Sequence, residues 1–338
     1  MKYFLYFLLC SSFLGFGQQK YPTDYFRSPL DIPLVLSGTF GELRSNHFHS
    51  GIDLKTKGKE GLNVYATANG YVSRIKISQY GFGKALYITH PNGYTTVYAH
   101  LKKYAPEIEN YVKSIQYKKK KYATGNIYLK DDKFPVKKGA VIAYSGDTGG
   151  SSAPHLHYEI RNSRTEKVIN PLLFGLLPED TIQPIFRSLL MYALDSDSRI
   201  DNNNLNVSLP IKNDGNGNYT THRVLANGAI GMGVDVFDRL NNASNKNGIF
   251  SLEMLVNDQR VYYHDVTTFS FSESKLINLL IDYPHYKTYK RRVQKTHRVA
   301  KNSLSIYKDL KNDGKLLIKE GFNYTVKIIA KDIKDNAR

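Results

Sequence analysis

Pro154-His155-Leu156-His157-Tyr158-Glu159-Ile160 is the stretch on which the reading of the whole chain turns. Histidine and apolar residues alternate along it, which is the period of a β-strand, where residues two apart share a face. His155 and His157 therefore stand side by side, while Leu156, Tyr158 and Ile160 are directed into a core. Two imidazoles on one rigid strand are a start for a metal site, because neutral imidazole is the commonest metal ligand. The competing reading is a polar strand face carrying two solvated histidines. The choice depends on whether other parts of the chain bring further ligands.

Directly before this strand lies Ser145-Gly146-Asp147-Thr148-Gly149-Gly150-Ser151-Ser152-Ala153. A Gly/Ser loop of this kind could cradle phosphate, but no helix or Walker-type lysine follows it, so that reading is excluded. Further out, Gly38-Thr39-Phe40-Gly41-Glu42-Leu43-Arg44-Ser45-Asn46-His47-Phe48-His49-Ser50-Gly51-Ile52-Asp53-Leu54 is too rich in Gly, Ser and Asn for a helix. His49 is expected to end a loop, Gly51 to allow a close turn, and Asp53 to open a strand. Brought beside His157, they would form a set of two imidazoles and one carboxylate with a fourth position free for water, the arrangement of a catalytic zinc. A turn-capping Asp and a surface His are the plainer alternative. His47 is a rival for His49, but only His49 has the three-residue gap to Asp53.

Residues 64–101 read as a β-meander, with strands at 64–66, 70–77, 84–89 and 95–101 separated by Gly81-Phe82-Gly83 and Pro91-Asn92-Gly93. On the last of these, Val97, Ala99 and Leu101 share one face and Thr96, Tyr98 and His100 the other, which places His100 on the polar side of a strand end. Residues 105–133 interrupt the pattern, opening with a helix whose first turn carries Pro106, Glu107 and Glu109. The basic run 118–121 reads as a solvated face. Strand patterning resumes at 134–144.

With 338 residues, the chain exceeds what one core usually serves, and two domains are expected. Lys2, an apolar run over 3–16 and small residues at Gly15 and Gly17 mark residues 1–17 as a secretory signal peptide cleaved after Gly17. It is shorter than the ~20 apolar residues of a membrane-spanning helix. Cys10, the only cysteine, falls inside it, and Leu9 before it does not suit a lipoprotein site. The mature protein then has no disulfide and relies on its core and any metal. No later segment is apolar enough to act as a transmembrane anchor, so an exported, soluble protein is expected, in the periplasm or outside the cell. Formal charge is +17, or 17 − 1 = +16 without Lys2. For an exported protein this points to contact with an anionic wall or lipid surface and away from nucleic acid.

Residues 18–37, with Pro22, Pro29 and Pro33, are expected to form an extended lead-in. From about residue 174 the character changes. Residues 181–194 look partly helical or linking, followed by short alternating strands at 205–209, 229–237, 250–256, 260–263, 315–318 and 324–330, with a tight turn at Asn257-Asp258. This regularity suggests an antiparallel, immunoglobulin-like β-sandwich over 176–338. Residues 287–301 hold seven Lys/Arg and no acid, either a solvated helix or an anion-facing patch. The sequence stops at Arg338 straight after a strong strand, where a sandwich would often add another, so truncation of this domain at its C-terminus is expected.

The ordered set His49-Ser50-Gly51-Ile52-Asp53, Tyr98-Ala99-His100, the Gly/Ser loop and His155-Leu156-His157 resembles the lysostaphin-type (LytM-type) zinc metallopeptidases, which cut peptide bridges of peptidoglycan. The resemblance covers about 39–171. It implies a mainly β metallopeptidase domain over 38–175, an antiparallel sheet groove related to lipoyl-type half-barrels; the stretch 105–133 departs from the family's pattern by its length and is expected to form an inserted extra wall of the groove. It also implies one Zn²⁺ held by His49, Asp53 and His157, with His155 and His100 flanking the open position as catalytic residues. His155 is the candidate general base and His100 the candidate oxyanion stabiliser, two roles that could be exchanged. The function implied is an exported zinc endopeptidase acting on peptidoglycan cross-links. The alternative is a catalytically silent wall-binding or regulatory module of the same fold. Neither the bond cleaved nor the oligomeric state follows from the sequence.

Overall fold

The structure is a computed structural model that describes residues 21–338, so the expected signal peptide and Cys10 lie outside the described residues. Seven strands lie side by side in the order Leu36–Gly38, Ile52–Lys55, His155–Asn162, Tyr94–Ala99, Lys84–Thr89, Gly70–Ile77 and Gly125–Tyr128, every neighbouring pair antiparallel. The sheet curls into a half-barrel. Its inner face buries Leu54, Val72, Ile75, Leu86, Tyr98, Leu156, Tyr158 and Ile160. A second, three-stranded sheet of Asn63–Tyr65, Val141–Tyr144 and Lys103–Tyr104 adds Val64, Ile142 and Ala143 to the same cluster. Each such side chain contributes about 1.5–3 kcal/mol by leaving water.

The helix expected in the interrupting segment forms at Pro106–Lys119. Proline in its first turn costs no hydrogen bond, and Lys120 ends it in the left-handed conformation. It buries Ile108 and Val112, and the chain then adds Gly125–Tyr128 to the sheet edge opposite Leu36–Gly38.

The second half folds chiefly as two antiparallel sheets, with Lys212–Asn213 and Tyr219–Thr220 forming a separate two-stranded ribbon. One orders Arg199–Ile200, Ala226–Phe237, Ile185–Ala193 and Val207–Leu209, with Gln294–Lys295 and Leu316–Ile318 also on the Ala226–Phe237 strand. The other orders Tyr307–Leu310, Gln259–Asp265, Ser251–Val256 and Val326–Lys331. Met232, Val234 and Leu316 of the first meet Leu252, Met254, Tyr262 and Ala330 of the second in one buried cluster, a β-sandwich core. The turn at Asn257 and Asp258 has both residues at positive φ, as a two-residue hairpin requires.

Two expectations are corrected here. The stretch 181–194 is no helix or linker: Ile185–Ala193 is a nine-residue strand. Its apolar run is covered on both faces, Met191 by the sandwich core and Leu190 and Tyr192 by Val293, which erases the alternation that marks a half-buried strand. Residues 287–301 are not one solvated helix, while Lys287, Lys290, Arg291, Arg298 and Lys301 stay exposed, as an anion-facing patch would need. The helix Tyr283–Tyr289 ends at Lys290, and Gln294–Lys295 pairs into the sheet with Val293, Gln294, Thr296 and His297 buried.

The two halves share structure. Val168–Ile169 pairs with both His155–Asn162 and Thr268–Phe269. The Phe269 ring lies 5.0 Å from Phe40 and 5.3 Å from Phe48, and Val266, Ile277 and Leu280 join that core. Truncating such a buried ring typically costs about 3–5 kcal/mol.

Candidate metal centre and active site

Register places the first pair of functional side chains. Antiparallel pairing sets Asp53 directly across from His157, so both point to the same face of the sheet. His49 reaches them from the loop ahead of Ile52–Lys55, just after a short hairpin in which Phe48 is buried and His47 is exposed. Two glycines make this possible through space, not backbone angle. A Cβ on Gly51 would lie 2.3 Å from the Tyr158 carbonyl, and one on Gly38 would lie 2.7 Å from Asp53 Oδ2.

Three ligand atoms converge. His49 Nε2 is 3.0 Å from Asp53 Oδ1 and 3.0 Å from His157 Nδ1, and His157 Nδ1 is 2.9 Å from Asp53 Oδ1. All three residues are buried. Their outer atoms are each held. His49 Nδ1 donates to the Thr39 carbonyl at 2.8 Å. His157 Nε2 donates to Glu159 Oε1 at 3.0 Å, and Arg44 donates to Asp53 Oδ2 at 2.7 Å. Glu159, fully buried, also accepts from the Ser50 hydroxyl and, on Oε2, from Arg161 Nε at 2.7 Å.

These outer bonds settle the tautomers, because a carbonyl or carboxylate can only accept. With protons on His49 Nδ1 and His157 Nε2, the inner nitrogens present lone pairs to each other and to a carboxylate. Such a cluster is repulsive unless a proton or a cation sits within it. Two imidazole nitrogens and one carboxylate oxygen suit Zn²⁺ with one coordination position open, and outer-shell partners of this kind are what orient zinc ligands. The residues present therefore fit the metal.

The titration pattern agrees. For His157, burial opposes charge, but hydrogen bonds to Asp53 and Glu159 outweigh it and raise the pKa to about 9. Burial likewise works against ionised Asp53, yet the neighbouring imidazoles hold it well below the usual carboxylate range. Glu159 is brought down to about 2 in spite of burial, chiefly by Arg161 and His157. Burial lowers His49. Without metal, the site thus keeps a proton where a cation would sit.

His155 and His100 stand beside this centre. His155 Nδ1 is 2.8 Å from the Ala153 carbonyl, and its Nε2 is 3.5 Å from Asp53 Oδ1. His100 Nδ1 donates to the Thr148 carbonyl at 2.8 Å, and its ring centroid is 4.7 Å from His155 and 5.8 Å from His157. Burial, then the charge of His157, depresses His100 to about 4. Strand alternation did not anticipate how His100 arrives there. Tyr98 pairs with Tyr158 and faces the core, whereas Ala99 pairs with His157 on the site face, so an ideal strand would send His100 into the core. The strand ends at Ala99, and a φ of 60° at His100 swings its ring to the site side. A non-glycine residue in that conformation is uncommon and tends to mark functional positions.

His47 is exposed, bonded to the Ser45 carbonyl, and takes no part in the cluster. Arg44, Thr39, Glu159 and Arg161 were not assigned roles from the sequence. Glu159 and Arg161 continue the His155–His157 alternation and could have been found by it; the polar strand face is no solvent face, since Glu159 and Arg161 are buried. Nothing in the sequence pattern marks Arg44. A cavity of about 650 Å³ in the second half, lined by Phe186, Tyr219, Met232 and Ile328, includes none of these residues.

Residues 47–117 and 109–171 match the sequence model of peptidase family M23. This part of the chain is thus similar to peptidase family M23. All five histidine and aspartate positions of the site fall within the matched residues. Among M23-like relatives, the DD-carboxypeptidase/endopeptidase Mpg of Neisseria meningitidis serogroup B is 34% identical over 152 residues, covering 43% of this chain and 28% of Mpg. The peptidoglycan DD-endopeptidase ShyC of Vibrio cholerae is 29% identical over 143 residues, covering 40% of this chain and 26% of ShyC. The catalytic domain of lysostaphin from Staphylococcus simulans is 25% identical, covering 42% of this chain and 92% of that domain, with a TM-score of 0.31. The chain spans less than a third of the length of these two curated relatives.

Proposed function

We propose that this chain is an exported, zinc-dependent endopeptidase that hydrolyses peptide cross-links of peptidoglycan outside the cytoplasm. The observation that carries this reading is the convergence of His49, Asp53 and His157 with every outer atom held and two further histidines beside the open side. The M23 match and the printed activities of Mpg and ShyC support the substrate class. We further propose the division into 38–175, which carries the chemistry, and 176–338, which supports it and contacts an anionic wall.

Zinc held by the three ligands supplies a Lewis acid for the scissile carbonyl and lowers the pKa of a water to ~7. His155, whose Nδ1 proton is engaged by the Ala153 carbonyl, offers Nε2 as the acceptor for a proton from the attacking water. The same atom then delivers that proton to the leaving amine. His100 also has its Nδ1 proton engaged, so at rest its Nε2 accepts; it stabilises an oxyanion only once protonated. Glu159 and Arg44 hold the ligands in place and touch no substrate. Phe82 packs beside the centre, its ring 5.1 Å from that of His157.

The test is digestion of purified peptidoglycan with zinc-loaded protein, followed by mass spectrometry of the products. New amine and carboxyl ends at cross-link peptides are expected, abolished by chelation and restored by zinc. Wall binding without cleavage by protein holding one zinc per chain would favour the silent module instead.

A further inference from the structure

A second cluster of ligand-type side chains lies outside the M23 site. Asp180, on the segment joining the two halves, Asp238, just past the Ala226–Phe237 strand, and Asp332, just past the Val326–Lys331 strand, each direct one carboxylate oxygen to a common point, all within 4.8 Å. The three residues are 5%, 2% and 3% exposed. Among the described residues none of the three takes part in an ion pair; Lys334 eases the repulsion at Asp180 only from a distance. Asp238 Oδ1 and Asp180 Oδ2 are buried with no donor group bonded to them, and the Asp180 and Asp332 carboxyls lie within hydrogen-bond reach of each other. Asp332 is held rigidly by its own turn, through Lys334 N at 2.7 Å, Asn336 N at 2.9 Å and Asn336 Nδ2 at 2.7 Å.

Three buried carboxylates without a counter-charge repel strongly, and an unpaired buried acceptor adds a desolvation cost. Either protons or a cation must neutralise the cluster. The acids line a small, partly open pocket of about 20 Å³, shared with Thr39, Asn170 and Leu172. That volume admits one water-sized occupant.

We propose that Asp180, Asp238 and Asp332 hold one divalent cation, Ca²⁺ in preference to Mg²⁺ or Zn²⁺, which ties the ends of two strands from the two sandwich sheets to the segment leading back to the M23 domain. The donors are oxygen only, which disfavours zinc. Magnesium demands a near-ideal octahedron, whereas calcium accepts irregular carboxylate and carbonyl cages of the kind that three acids from separate segments would form. The cation would also brace the metallopeptidase site. Thr39 lines this cavity, its carbonyl orients His49, and its hydroxyl oxygen accepts from Gly248 N at 3.0 Å.

The experiment uses the full chain, stripped of metal on a chelating resin and then reloaded with one equivalent of zinc in calcium-free buffer. Calorimetric titration with CaCl₂ and with MgCl₂ is followed by thermal unfolding in each salt. One Ca²⁺ per chain is expected, with a Kd between ~10⁻⁶ and ~10⁻³ M and weaker binding of Mg²⁺. Saturating calcium should raise Tm by about 5 °C. Asp238→Asn, nearly isosteric, should lose both binding and the Tm shift while its zinc content stays at that of the parent. Wild-type protein that shows neither saturable heat nor a Tm shift up to ~10 mM of either ion would overturn the site and leave a proton-sharing acid cluster. Undiminished binding by Asp238→Asn would overturn the ligand assignment. Zinc content and wall digestion report on the M23 reading separately, so the two can fail independently.

Discussion

The described residues gather two tight clusters of three ligand-type side chains, and they differ in how they are held. At His49, Asp53 and His157 each inner atom has an outer atom secured by a carbonyl, an arginine or a glutamate. The donors are mixed nitrogen and oxygen, and the geometry is dictated by cross-strand register. At Asp180, Asp238 and Asp332 the donors are oxygen only, two oxygens have no donor group bonded to them, and the residues come from a connector and two strand ends. The first is built to orient ligands toward a small ion with an open position; the second concentrates charge in a small buried space. A compact cluster alone does not distinguish catalysis from bracing. The outer partners and the flanking histidines do.

Removing a zinc ligand should break that comparison most severely. His157→Ala and His49→Ala are each expected to lose zinc and wall digestion together, down to background, while the calcium response remains. Metal analysis and turnover on the same preparations decide it. Zinc retained in both variants would move the centre elsewhere.

The next effect separates ligands from neighbours. His155→Ala and His100→Ala should keep near-stoichiometric zinc while turnover falls by roughly 10²–10⁴-fold, as loss of acid–base or oxyanion help gives. If His155→Ala also loses zinc, the site is closed by a fourth protein ligand and the peptidase reading goes with it.

A smaller effect tests the outer shell. In Glu159→Gln an amide replaces the acceptor that holds the His157 Nε2 proton, so the tautomer with a free Nδ1 is no longer enforced. Zinc affinity should drop by about 10–100-fold, with turnover recovered in excess zinc. An unchanged affinity, measured by competition with a chelator, would show that Glu159 has no part in orienting the ligand.

The smallest expected effect compares the two halves under acid. His90 in the first half and His264 and His297 in the second are held neutral by burial, with pKa lowered from 6.5 to about 4. Above pH 6.5 neither folded nor unfolded chain protonates them. As pH falls from 6.5 toward 4 only the unfolded chain takes up protons, so stability is lost across that window and the loss levels off below it. The upper limit is ~3 kcal/mol for each group. Urea midpoints at pH 7, 5.5 and 4.5 should decline in that order, and a single mutant, His90→Gln, should flatten part of the slope.

Much of the site was legible because its spacing is local. His155 and His157 are two apart on one strand, and His49 and Asp53 are separated by a turn that Gly51 makes room for. The helix at Pro106 and the hairpin at Asn257-Asp258 were equally readable, since proline at a helix start and paired positive-φ residues act through neighbouring atoms. Ile185–Ala193 was misread because burial on both faces removes the periodicity that sequence reasoning uses.

The sequence by itself determined the period of the His155–Asn162 strand, the identity of the donors and the order in which they follow one another. These depend on bond geometry and on chemistry that a residue carries anywhere. Tertiary structure alone decided that Asp53 faces His157, that Arg44 secures its far oxygen, and that a left-handed residue turns His100 toward the centre. It alone joined Asp180, Asp238 and Asp332, which lie far apart along the chain and meet only where two sheets end. Strand register and sheet packing are set by burial summed over the whole core, and no short window of sequence contains that sum.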